Sequence, residues 1–101
     1  MSNISTKLGL ILTKDEMNRI KVDGENISVD LHAMKVKEAK KLIMNIIALN
    51  REEFTMEVIH GYNHGTAIKN MVHTDIDNSR IISKKGLAYN LGQTELTIAA
   101  A

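Results

Sequence analysis

ISVDLHAMKVKEAKKLIMNIIALNREEFTMEVIH, residues 27–60, changes its hydrophobic period twice. Ile27, Val29 and Leu31 alternate with polar residues, which is the two-residue period of a strand. From Lys35 to Asn50 the period becomes helical. Val36, Ala39, Ile43, Ile46, Ile47 and Asn50 fall near one face, with Leu42 and Leu49 widening it, while Lys37, Lys40, Lys41 and Asn45 lie on the other side. FTMEVIH then reads as a buried strand over 54–59. A strand, a helix and a strand in this order predict two parallel strands joined by a crossover. Parallel strands end at the same edge, so VDLH and EVIH deliver their histidines to one place.

The flanks extend this unit. TKDE, Thr13 to Glu16, fits a capping box that starts a short helix through about Ile20; an extended arm is the alternative for residues 1–18. Residues 19–22 alternate, and DG at 23–24 signals a turn, so 19–22 and 27–31 form a hairpin. After the glycine-containing loop at 61–65 a second helix is predicted over about 66–78, with Ile68, Met71, Val72 and Ile76 inward. RIIS at 80–83 reads as a third core strand, KKG as a turn, NLGQT at 90–94 as a polar loop and ELTIA at 95–99 as a last strand. The expected fold is α/β: a two-layer sandwich with a four-stranded mixed sheet in β-α-β-α-β-β order, two helices, and an optional extra N-terminal hairpin strand.

Composition bounds the chemistry. The chain has 101 residues, enough for a single domain over 1–101 with its core at about 27–99. It holds six methionines but only two tyrosines and one phenylalanine, so the core must be aliphatic. It has no cysteine, which excludes disulfides, thiolate metal sites and cysteine nucleophiles. No apolar run approaches the ~20 residues of a membrane span, and MSNISTKLGLILTK has no basic n-region, so a cytoplasmic protein without membrane contact is expected. A formal net charge of +1 provides no global field for nucleic acid, so any such binding needs a local patch.

The candidate site gathers at the strand ends. Asp30 alternates opposite to Val29 and Leu31 and so shares a face with His32; it either caps the following helix or faces solvent, or else it orients His32 or activates water. Gly61 and Gly65 permit positive φ, Asn63 tolerates the left-handed region, and the loop feeds a helix at Thr66. N–H groups at a helix start suit a phosphate, so His60, Gly61, Asn63, His64, Gly65 and Thr66 are the expected anion-binding residues, with packing alone as the plainer explanation. Lys37 and Lys41 form a basic face that is either merely solvated or holds a nucleic-acid backbone. Tyr62 can stack on a base. His60 and His64 have an H-x3-H spacing, but without a helix or a following Glu, so no metal site is expected. His73, inside the second helix, reads as a surface residue.

Taken together these stretches resemble the Smr (small MutS-related) domain family. VDLHAMKVKEAKKLI resembles its first signature, an aliphatic residue, Asp, Leu, His and Gly before a helix. VIHGYNHGTAIKNMV resembles its second, His-Gly-x-Gly-x-Gly leading into a helix, and NLGQTELTI its closing segment. The resemblance covers about residues 27–98. It implies nucleic-acid binding, DNA or RNA, with nicking or ribonuclease activity in some members. Asp30 and His32 would carry catalysis; His60, Gly61 and Gly65 would form the glycine-loop signature. Two positions depart: the Gly after the first His is Ala33, and the middle loop glycine is Asn63. Ala33 would be strained if that position requires positive φ. No resident cofactor is expected, and a divalent cation such as Mg²⁺ is compatible with phosphodiester cleavage. Two functions stand: an Smr-like nucleic-acid-binding domain, as an endonuclease or without turnover, and a non-catalytic module that keeps the fold and binds nucleic acid or protein.

Overall fold

The computed structural model describes residues 4–61, 66–87 and 90–101. The chain runs α1 (Ile4–Ile11), α2 (Lys14–Asn18), β1 (Ile20–Asp23), β2 (Asn26–Asp30), α3 (Val36–Leu49), β3 (Phe54–Ile59), α4 (Thr66–Asn70), a π-helical turn (Met71–Asp75), β4 (Ile81–Leu87) and β5 (Asn90–Ile98). The strands form one five-stranded mixed sheet in the order β1-β2-β3-β5-β4. This corrects the expectation of four strands: the N-terminal hairpin strand is a full member of the sheet, paired antiparallel to β2 from Ile20↔Val29 to Asp23↔Asn26.

The decisive pairing is the parallel one. Asn26↔Thr55 to Asp30↔Ile59 align β2 with β3, and the Leu31 N–H donates to the Ile59 carbonyl at 2.8 Å. The two strands therefore finish level, as the alternation predicts. Ile27, Val29, Phe54, Met56 and Val58 turn inward and meet Ala39, Leu42, Ile43, Ile46 and Ile47 of α3, all buried. Ser28 and Glu57 occupy the other, more exposed face, where the Ser28 hydroxyl donates to Glu57 at 3.3 Å.

Two further assignments change. β5 is inserted between β3 and β4, antiparallel to both, so the third core strand is in fact an edge strand. NLGQT belongs to β5, and KKG belongs to β4. Thr94 explains the misreading: it is fully buried beside Leu96 and Ile98, so a polar residue holds an inward position and the alternation starts earlier than its apolar members show. Register shifts between Ile81/Ser83 and Gly86/Leu87, with Lys84 and Lys85, guard the β4 edge against further strand pairing.

The first eighteen residues are helical where described. Thr13 and Glu16 form the reciprocal capping box: the Glu16 N–H donates to Thr13 Oγ1 at 3.1 Å, and the Thr13 N–H to Glu16 Oε1 at 2.8 Å. Ile4, Leu8 and Leu12 are buried, so α1 is part of the core. The second helix ends at Asp75 rather than 78 and is partly π-helical. Its wider last turn, closed by the Ile76 N–H on the Met71 carbonyl at 3.0 Å, places Ile76 inward five residues after Met71 and leaves Asp75 outside. Among the described residues no helix is long and apolar enough to cross a membrane.

Candidate functional site

Because β2 and β3 end level, the segments after them emerge side by side. A Cβ placed on Gly61 would lie 3.8 Å from His32 Cβ, so the first loop glycine backs directly onto the DLH segment. Gly61 has φ +83, a conformation that favours glycine. Tyr62, Asn63, His64 and Gly65 lie outside the described residues, and Thr66 opens α4.

Asp30 and His32 form a dyad. The Asp30 carboxylate Oδ1 accepts both the His32 backbone N–H at 3.1 Å and the ring Nδ1 at 2.5 Å. A carboxylate acceptor at Nδ1 assigns the proton of neutral His32 to that nitrogen and leaves the Nε2 lone pair available. The His32 side chain is 66% exposed. For Asp30, partial burial pushes the pKa up, but the hydrogen bonds from the His32 ring and backbone and the charges of His32 and Arg19 hold it below the usual value. The carboxylate is therefore ionised at neutral pH.

The turn after β2 is strained. The Met34 N–H donates to the Leu31 carbonyl at 3.1 Å, and Ala33 has φ +64. Positive φ at the third residue, with His32 outside that region, identifies a type II turn, whose third position favours Gly or Asn. The expectation attached to Ala33 is thus met in its unfavourable form.

His60 is placed differently from a phosphate ligand. It is 1% exposed, and its Nε2 lies 2.9 Å from the Thr94 hydroxyl. Its Nδ1 lies 3.2 Å from the Gly61 carbonyl and must be the donor there. Nε2 then accepts the Thr94 proton, and the same hydroxyl accepts from His73 Nε2, also at 2.9 Å. His73 is therefore not the plain surface residue its position in the helix suggests. Burial pushes both imidazoles below their ordinary value, with Lys69 adding to the effect on each, and His60 and Lys84 adding further at His73. The backbone N–H groups of His60 and Gly61 both donate to the Gly92 carbonyl, at 2.9 and 3.1 Å. Neither N–H, nor the His60 ring, faces an incoming anion.

The predicted basic face is divided. Lys37 and Lys41 are both exposed, and Lys41 also lines a hollow of about 280 Å³ with Asp15, Glu16 and Glu38. Lys40 pairs with Asp75 at 3.7 Å. Among the described residues no group of three His, Asp or Glu side chains is arranged to hold a metal ion. Another hollow, about 440 Å³, lies at the other end of the sheet around Gly24, Glu25, Glu53 and Phe54. It carries none of the predicted site residues.

Sequence reasoning missed Arg19. It was read only as the first residue of a strand, yet its guanidinium Nη1 donates to the carbonyls of Asp30 at 3.1 Å and His32 at 3.0 Å. Its Nε lies 3.4 Å from Asp15 Oδ2, and that i,i+4 spacing was the available signal.

The chain matches no protein-family model and no curated protein sequence.

Proposed function

We propose that this chain is an Smr-like domain that binds nucleic acid at the rim formed by the Asp30–His32 dyad and Gly61. The observation that carries this reading is the ionised Asp30 holding the ring of an exposed His32 through Nδ1, directly against Gly61. Such an imidazole presents Nε2 as a general base. In phosphodiester hydrolysis it would take the proton of an attacking water as the new P–O bond forms; the leaving oxygen departs with the old one and takes a proton from solvent. Lys37 would hold the flanking backbone. Lys41 has a smaller part, because Asp15, Glu16 and Glu38 line the same hollow.

A second reading, binding without turnover, is favoured by the inward-turned His60 and by the N–H groups of His60 and Gly61, which are already donated to Gly92. Cleavage assays on single- and double-stranded DNA and RNA, with and without Mg²⁺, separate the two. The catalytic reading expects wild-type cleavage that His32→Ala abolishes while salt-dependent binding persists. Binding without cleavage under every condition supports the second reading, and absence of nucleic-acid binding at low salt removes the first and leaves the second only as a protein-binding module.

A further inference from the structure

Ala33 occupies a conformation that an alanine does not choose. Type I and type II turns differ by a rotation of roughly 150° of the peptide between their two central residues, here His32 and Ala33. In the type I form Ala33 would return to negative φ without strain, and the His32 carbonyl would point the other way. A left-handed conformation is unfavourable for a residue that carries a Cβ, so something must hold the peptide in the type II orientation. The hydrogen bond from Met34 to Leu31 does not, because both turn types contain it.

We infer that Arg19 is a positioning residue that locks the His32–Ala33 peptide in its type II orientation, and that the Asp30–His32 dyad depends on this lock. Arg19 surrounds the dyad's backbone. Its own carbonyl accepts the Asp30 N–H at 2.8 Å, while its Nη1 takes the Asp30 carbonyl and the very carbonyl, that of His32, which a flip would turn away. The lock is anchored at its other end: Asp15 sits on Nε, in the short helix α2 whose start is fixed by the Thr13–Glu16 capping box. The Arg19 side chain is 22% exposed; its bond to the Asp30 carbonyl is part-buried, while those to the His32 carbonyl and to Asp15 are exposed. The planar fork matters. A lysine ammonium is one point of attachment and cannot hold both carbonyls and Asp15 at these separations. Residues 13–19, outside the segment that resembles the Smr signatures, thereby become part of the site. What the dyad serves rests on the proposed function; the lock itself does not.

The test is solution NMR on the full chain. A type II turn gives a strong NOE between His32 Hα and the Ala33 amide, which a type I turn loses in favour of an amide–amide NOE. Wild type is expected to show the strong NOE and the Nδ1–H tautomer of neutral His32. Arg19→Ala is expected to lose both, and Arg19→Lys to lose them in part. Adding Ala33→Gly to Arg19→Ala is expected to restore them, since glycine keeps the turn without a brace; a merely structural arginine would show no such rescue. The inference is overturned if Arg19→Ala keeps the NOE and the tautomer, or if Ala33→Gly does not restore them. If Arg19→Ala does not fold, Arg19→Lys with and without Ala33→Gly decides by the same signals. Oligonucleotide titration of the same samples is a separate arm: no binding by wild type counts against the proposed function and leaves the lock to the NOE.

Discussion

Ala33 is the residue where sequence and backbone disagree most sharply. Its φ of +64 predicts that Ala33→Gly stabilises the protein. Relief of left-handed strain is partly offset by the greater freedom of glycine in the unfolded chain, leaving a gain of about 1 kcal/mol, or a rise of roughly 4–8 °C in Tm by calorimetry. The buried histidines predict acid sensitivity. Both His60 and His73 have folded-state pKa values below the ordinary 6.5, so the unfolded chain binds protons first as pH falls. Stability is at its full value above that pH and declines below it, toward the lowered folded values. Asp30 acts in a lower window: its stabilising contribution, present above 3.8, is lost as pH falls through its own depressed value. Urea midpoints measured from pH 7.5 to 5 check the histidine part. Thr94→Val should cost about 1–3 kcal/mol at neutral pH, since it strips both rings of their partner. Asp30, His32 and Gly61 could be placed together from the sequence because strand ends are legible. The inward turn of His60 was not, because its partners, Thr94 and Gly92, lie more than thirty positions away and were read as loop.

Elements were legible where apolar spacing alone defines them. α3 and the inward set Ile68, Met71, Val72 and Ile76 follow their pattern. β5 did not, because its buried Thr94 and its glycine hide the period, and the π-helical turn depends on a packing choice at Ile76. Tertiary hydrogen bonds to element ends were invisible. Arg80 is the clearest case. It donates to Ala99 at 2.7 Å, Asn50 at 2.7 Å and Glu52 at 3.1 Å, and also to Ile47, tying the C-terminal end of α3 to the residue that follows β5. These carbonyls include those that a helix end leaves without partners. Arg80→Met is expected to destabilise the fold by about 3 kcal/mol, read as a lower urea midpoint with an unchanged slope. Thr13→Ala should cost about 1 kcal/mol through the lost capping box.

For the whole molecule, the parallel β2–β3 pair is the arrangement on which the proposed function depends: it brings two strand ends to one rim and leaves a hollow of about 440 Å³ at the other. A net charge of +1 means that any attraction for nucleic acid must be local; on the proposed function it centres on Lys37, exposed in the first turn of the helix that follows the dyad. The most direct measurement is a backbone-amide NMR titration of the full chain with a short single-stranded oligonucleotide at low and high salt. The account predicts shifts concentrated at residues 30–37 and 60–66, fading as salt rises. Shifts clustered instead around Gly24, Glu25 and Phe54, or none anywhere at low salt, would contradict it.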